Sequence, residues 1–409
     1  MSLRKLTNIL FIVATTILIF ATGFRVGEHF TKKNYFSILN SSSTDNKPGV
    51  NLSLFWETWE KLEKKYVDKK KVEQKKMLYG AIKGMVASLE DPYTFFLTPE
   101  ENKQSKQDLQ GRFEGIGAQL GLKNNRVIVV APLKNSPAER AGVKSSDFIN
   151  KVDDQSTKNW TLTQAVNKIR GPKGTKVKLT LERNGKEFVA EIVRDEINVA
   201  SVELSYEKIK AKKIAILKLT QFGDNTYNEW DSTIDEVHNL WQKKEIAGLI
   251  LDLRDNPGGY LDGAVYLAGE FLPLGKTIVQ QESTTVKNKT YSVTRQGLLL
   301  DIPLVVIINR GSASASEILA GALRDHQRAK LIGEKTFGKG SVQEALDLDQ
   351  GAGLHVTVAK WILPNGDWIN SKGIDPEFKI ELKLDEGNTL TREKDIQLNK
   401  ALEIMYSSL

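Results

Sequence analysis

Two stretches in the second half of the chain carry reactive side chains in settings that suit chemistry. Gly333–Ser341 reads GEKTFGKGS and Asn309–Leu323 reads NRGSASASEILAGAL. The first nearly spells a phosphate-binding loop, which needs Ser or Thr directly after its lysine to ligate Mg²⁺. Here Gly340 follows Lys339 and the hydroxyl of Ser341 comes one place late, so the pattern is out of register for phosphate. The strand-like LILDLRD that would serve as its partner motif also precedes the lysine loop, the wrong order for a P-loop enzyme. A lysine after Phe337, between Gly338 and Gly340, suits instead a desolvated amine packed among close backbones. Such an amine is a known base for serine. To accept a proton near neutrality its pKa must fall from about 10.4 to roughly 7–8, a bias on the order of 4 kcal/mol that burial can supply.

The serine stretch has two local readings. A buried strand ends near Arg310, Gly311 turns the chain, and an apolar-periodic helix begins at Glu317. A serine at that elbow meets the unpaired N–H groups of a helix start, which favour developing negative charge. Ser314-x-x-Glu317 equally fits a helix capping box. A histidine base finds little support, because the chain has only His29, His238, His326 and His355. None of them has zinc-ligand spacing, so no metal is expected.

A third stretch, GIGAQLG at Gly115–Gly121, fails as a dinucleotide fingerprint because its spacing is GxGxxxG and no helix follows. Backbone N–H groups around Gly115, Ile116 and Gly117 can instead grip a carboxylate, and the strand Ile116–Leu120 can add a peptide as a further strand. Leu162, Ala165, Val166 and Ile169 lie on one helical stripe about 45 residues on and are expected to face that peptide.

The elements that must position these groups follow from pattern. Leu52 to about Gln110 reads as helical, with Trp56, Trp59, Leu62 and Tyr66 at helical spacing and Asp91-Pro92 stopping a helix. Phe113 to about Ile197 is β-rich, with a hairpin turn at Asn184-Gly185. From Ser201 on, buried-strand runs such as KIAILKLTQF, IAGLILDLRD and IPLVVIINR alternate with helix-length segments, the α/β pattern.

Bulk properties set the class. With 409 residues, 40% hydrophobic and 27% charged, the chain is expected to form several globular domains. It contains no cysteine, which excludes disulfides and a cysteine nucleophile. The net charge of +7 is densest at Lys61–Lys76, without interleaved aromatics or a nucleic-acid module, so a solvated helix face is expected and nucleic acid is not. Arg4 and Lys5 precede the uncharged apolar run Ile9–Phe24, expected to be an uncleaved signal anchor, with a cleaved signal as the alternative.

At this point the residues carry a resemblance. GSASASEILAGALRDHQRAKLIGEKTFGKGSVQ, Gly311–Gln343, resembles the active-site signature of the carboxyl-terminal processing (tail-specific) proteases, and the family's serine-to-lysine interval is matched by Ser314 and Lys339, 25 positions apart. GMVASLEDPYTFFLTPEE is similar to the family's helical module, and GIGAQL with SPAERAGVKSSDFINKVDD to its PDZ domain. LILDLRDNPGG and ILPNGDWINSKGIDPEF resemble further family segments. Family membership implies a serine endopeptidase in which Ser314 is the nucleophile, Lys339 the general base and Gln343 the residue that orients it, with Ser312 and Ser316 structural. The oxyanion hole is then the N–H of Ala315 with that of Gly258 or Gly259. Gly115, Ile116 and Gly117 bind the C-terminal carboxylate of a substrate with an apolar tail, beside Leu120, Leu162, Val166 and Ile169, and Arg170 couples docking to the active site. The expected organisation is a signal anchor at 1–30, linker at 31–51, helical module at 52–112, PDZ domain at 113–197, α/β protease core at 198–380 and C-terminal segment at 381–409. The resemblance also implies a homo-oligomer without a cofactor. With the anchor it implies a single-pass membrane protein whose catalytic part is extracytoplasmic. A catalytically silent PDZ scaffold is the rival reading.

Overall fold

The computed structural model describes residues 50–133, 135–382 and 390–409. The expected anchor at 1–30 and nearly all of the linker at 31–51 lie outside them. Among the described residues, no helix is long and apolar enough to cross a membrane.

The described residues up to Leu78 form one unit. Helix Ser53–Lys65 has no buried residue. On it the rings of Phe55 and Trp56 meet edge to face at 5.0 Å, and Trp56 meets Trp59 at 6.1 Å. A short 3₁₀ turn, Lys69–Lys71, follows, opened by the Asp68 side chain accepting from the Lys70 N–H. Helix Gln74–Ala87 then runs on into the second unit, which begins at Tyr79.

The helical reading of Leu52 to about Gln110, with its stop at Asp91-Pro92, holds except for one strand. After Ala87 the chain turns at Asp91-Pro92 and makes the strand Phe95–Leu97 before helix Pro99–Leu109. Asp91 accepts from the Tyr93 N–H at 3.0 Å and the Thr94 hydroxyl at 2.7 Å, which closes a turn in place of a helical repeat. The second helix restarts at a full capping box of Thr98 and Glu101, with Pro99 in its first turn.

The β-rich region is a five-stranded sheet plus a short two-residue strand. Its order is Ala118–Lys123, Arg126–Pro132, Phe148–Val152, Lys176–Arg183, Lys186–Val193. The last two strands turn at Asn184-Gly185, both at positive φ, the hairpin that the dipeptide predicts. Ala118–Lys123 pairs only with Arg126–Pro132, so its other edge is open. Strands Arg112–Gly115 and Asp195–Asn198 pair antiparallel and bring the two ends of this region together.

The larger region is α/β. A six-stranded sheet runs Val202–Ile209, Lys212–Leu219, Gly248–Asp252, Leu304–Ile308, Lys330–Gly333, Phe378–Lys379, parallel except for its first pair. Gly248–Asp252 and Leu304–Ile308 are buried at every position, which explains their unbroken apolar sequences. Helices Thr226–Gln242, Leu261–Ala268 and Ala315–Asp325 contribute to the largest core, and the C-terminal helix Ile396–Ser407 to a separate one with Ile216, Ile250 and Ile307. A second, antiparallel sheet joins Phe95–Leu97, Ser341–Asp347, Gly353–Ile362, Thr277–Glu282 and Lys289–Ser292. In it, Phe95–Leu97 and Ser341–Asp347, the strand that follows Lys339, both pair with Gly353–Ile362.

Candidate active site

Ser314 stands at the end of the turn that follows Leu304–Ile308, with φ 55° and ψ −117°, a conformation that a non-glycine residue adopts only when its surroundings enforce it. Those surroundings are visible. Ser312 and Ser316 are fully buried, their hydroxyls donating to the Leu253 and Asn256 carbonyls at 2.8 and 2.9 Å. Both are structural, as the resemblance implies, which leaves Ser314 half-buried between them.

Asn256 is the hub of the facing loop. It is fully buried, donates to the Leu219 carbonyl at 2.8 Å, accepts from the Gly258 N–H at 2.9 Å, and takes the Ala313 N–H on its own carbonyl at 3.0 Å. Gly258 lies against the serine turn so closely that an added Cβ would sit 2.8 Å from Ser314 Cβ and 2.9 Å from the Ala315 nitrogen. Its φ of +97° excludes a side chain independently. Because the Gly258 N–H is committed to Asn256, the N–H groups without a partner near the turn, among the described residues, are those of Gly259 and Ala315.

Glu317 joins the serine turn to the lysine loop. It is fully buried, and its carboxylate accepts from the Ser314 N–H and the Lys339 N–H on one oxygen, both at 2.9 Å. The other oxygen accepts from the Gly338 N–H at 2.7 Å and the Thr336 hydroxyl at 2.5 Å. Burial pushes this carboxyl above the usual range, while the four donors pull towards the charged form. The capping arrangement that the sequence suggests is therefore real, yet the Glu317 N–H has the Ser314 carbonyl at 2.9 Å, so the hydroxyl is not required as the cap.

The Lys339 amine is half-buried, and its Nζ lies 5.2 Å from the centre of the Tyr93 ring. Burial holds it below the ordinary lysine value, against the opposing charges of Asp91 and Glu317. Among the described residues it makes no hydrogen bond to Ser314. The Gln343 amide donates to Ser341 Oγ at 2.8 Å and Thr357 Oγ1 at 3.1 Å, so its contacts are one step removed from the amine. His326 bonds the Thr277 carbonyl at 2.7 Å, a structural role at its helix end. His355 stacks on Phe95 at 4.7 Å, and burial, then the Lys339 charge, keep it below its ordinary value.

At the carboxylate loop, the Ile116 and Gly117 carbonyls are taken by the Ala138 and Leu133 N–H groups at 2.8 and 2.9 Å, which fixes the loop. Gly117, at φ +70°, has no room for a Cβ, which would meet Ser136 Cβ at 2.5 Å. Of the expected groove residues, Leu162 is 36% exposed, and Leu120 and Val166 are half-buried. The side chains of Ala165, Ile169 and Ile116 are buried in the core of the β-rich region. An apolar stripe spans about 100° of a helix, so its inner half seals the core while its outer half stays accessible. Arg170 follows that helix, pairs with Asp108 at 2.8 Å, and stacks on Phe113 at 4.9 Å, tying the groove helix to helix Pro99–Leu109.

Sequence reasoning reached Glu317 only as a cap and missed Asn256, Asp91, Tyr93 and Thr357. The stretches DNPGG and DPYT that hold three of them were in view as family segments, but nothing local says what their side chains touch.

The peptidase family S41 profile matches residues 213–380, the PDZ domain 104–182, and the activating protease CtpB N-terminal domain 16–101. The carboxy-terminal processing protease CtpA of Bacillus subtilis is 42% identical over 313 residues, 76% of this chain and 66% of the relative. A probable CtpA-like serine protease of Staphylococcus saprophyticus is 37% identical over 374 residues, 90% of this chain and 71% of the relative. The chain thus spans about two thirds of the length of the curated relatives it matches. Among solved structures, the photosystem II D1 C-terminal processing protease is similar at 30% identity and TM-score 0.53, over 80% of this chain and 92% of that one. The chain belongs to peptidase family S41, the serine-type carboxy-terminal processing peptidases, and carries a PDZ domain.

Proposed function

We propose that this chain cleaves exported polypeptides with a Ser314–Lys339 dyad after capturing their C-terminal tails in the PDZ groove. The observation that carries the reading is the single buried carboxylate of Glu317, which binds the backbone N–H of both Ser314 and Lys339 and so builds the two loops as one unit. Ser314 Oγ attacks the scissile carbonyl carbon while Lys339 Nζ, neutral, takes its proton. The Ala315 and Gly259 N–H groups receive the oxyanion, and the unpaired state of the Gly259 N–H favours it over Gly258. Collapse of the tetrahedral adduct breaks the C–N bond, and the lysine proton leaves on the amine. Water then attacks the acyl carbon, giving a proton to Lys339; collapse breaks the acyl C–O bond, and the lysine passes that proton to Ser314 Oγ.

The open edge of Ala118–Lys123 supports addition of the tail as a strand, and Leu120, Leu162 and Val166 suit apolar residues on it. The Arg170–Asp108 pair is the mechanical link by which docking reaches helix Pro99–Leu109 and gates the dyad. Gln343 orients the base indirectly, through the hydroxyl of Thr357. The apolar run after Arg4 and Lys5 tethers the enzyme to the membrane with its catalytic part outside the cytoplasm, and in this reading the chain assembles as a homo-oligomer. The reading is tested with an unstructured, internally quenched peptide ending in Val. Cleavage is expected from the full chain, to vanish in Ser314→Ala and Lys339→Ala, and to weaken when the peptide's C-terminal carboxylate is amidated. Equal cleavage of the free and amidated peptides would refute the tail-capture part.

A further inference from the structure

Lys339 is met by charged or titratable groups from three elements. Asp91 and Tyr93 come from the turn before Phe95–Leu97, Glu317 from helix Ala315–Asp325, and His355 from strand Gly353–Ile362. Glu317 is occupied by its four donors. Burial and the lysine charge both disfavour a cation on His355. The groups left to attend the amine are therefore Asp91 and Tyr93, almost 250 positions earlier in the chain.

Their placement is built. Strand Phe95–Leu97 pairs with Gly353–Ile362, Phe95 opposite His355. The Thr357 N–H donates to Thr94 Oγ1 at 3.0 Å, locking the turn to that strand. The Asp91 carboxylate accepts from the Tyr93 N–H, the Thr94 hydroxyl and the Thr357 hydroxyl. Burial pushes Asp91 up, but these hydrogen bonds with the lysine charge prevail and keep it ionised. Thr357 Oγ1 in turn accepts from the Gln343 amide at 3.1 Å, so Gln343, Thr357 and Asp91 form one chain, and the Asp91 charge favours the cationic form of the amine. The face of Tyr93 completes the berth, since an aromatic face attracts a cation. Asp91, Tyr93, Ser341 and Thr357 also line one cavity of about 780 Å³.

We propose that Asp91 and Tyr93 form the resting berth of Lys339, holding its amine without a hydrogen bond to Ser314 in the free enzyme. Asp91 is a positioning residue that acts through the lysine, and the segment ahead of the PDZ domain is part of the catalytic machinery. This rests on the dyad reading above.

The test is kcat/KM against pH for the full chain with the quenched peptide ending in Val, because that ratio reports groups of the free enzyme. Asp91 opposes deprotonation of the base. Asp91→Asn therefore moves the acidic limb to lower pH, by about one unit, and raises the relative rate on that limb. Tyr93→Leu moves it the same way by less, Tyr93→Phe keeps the ring and leaves it in place, and Asp91→Glu restores the wild-type limb. A merely structural role would lower the melting temperature and leave the limb unmoved, which overturns the proposal. If Asp91→Asn does not fold, Tyr93→Leu, which retains the carboxylate and its donors, decides by the same criterion. Lys339→Ala separates the two failures. If it still cleaves, the dyad reading falls and takes the berth with it. If it is inactive while Asp91→Asn keeps the wild-type limb, the berth alone is overturned.

Discussion

The two halves of the proposed dyad are held in opposite ways. Around Ser314, Ser312, Ser316, Asn256 and Glu317 are buried and hydrogen-bonded, and the strained backbone is fixed by them. The Lys339 backbone shares that frame through Glu317, but its amine is placed by a ring face, a carboxylate field and partial burial. The contrast suits the chemistry. A nucleophile with its oxyanion donors gains from preorganisation, because donors already aimed at the developing charge need no rearrangement. A base that must lose and regain a proton gains from surroundings that change its charge at modest cost.

The comparison can be broken from either side. The largest effect is expected from Glu317→Ala, which leaves two loops without their shared acceptor and four donors unpaired. At about 1–3 kcal/mol per buried orphan the variant loses several kcal/mol of stability, measured by urea unfolding, along with nearly all cleavage. Gly258→Ala comes next. Its Cβ cannot fit against Ser314 and Ala315, and a displaced oxyanion hole costs about 10²–10³ in kcat, with KM little changed. Arg254→Ala tests whether the frame extends further. Arg254 is buried between Asp252 at 2.7 Å and Asp395 at 2.9 Å, and its loss leaves two buried carboxylates, a cost of about 3–5 kcal/mol in unfolding free energy with a smaller effect on kcat of the folded fraction. The smallest effect belongs to Asp108→Ala. Its pair with Arg170 is partly exposed and worth about 1 kcal/mol or less, so basal cleavage in the absence of a free carboxylate tail rises by no more than about fivefold.

The same contrast decides what the sequence reveals. The serine turn announces itself, since a buried strand, a glycine and a capping pattern lie within fifteen residues. The parallel strands are legible because burial on both faces leaves unbroken apolar runs, and the Asn184-Gly185 hairpin because few dipeptides adopt that turn. The surroundings of the lysine amine are not legible. Asp91 is brought to its side of the molecule by strand pairing between Phe95–Leu97 and Gly353–Ile362, and no local pattern encodes a juxtaposition across that separation. Which hydroxyls Gln343 bonds depends on the register of its own strand against Gly353–Ile362. Ile169 illustrates a further limit: helical spacing identifies an apolar stripe, and packing alone decides which half of it seals the core.

The central claim is that one frame presents a serine and a lysine as nucleophile and base. Its most direct test is single-turnover cleavage of the quenched peptide by the intact chain, Ser314→Ala and Lys339→Ala, with folding checked by circular dichroism. The account predicts folded variants in which both cleavage and labelling of Ser314 by a covalent serine probe are lost on removal of the lysine. A folded Lys339→Ala chain that still cleaves at the wild-type rate would contradict it and turn attention to His355.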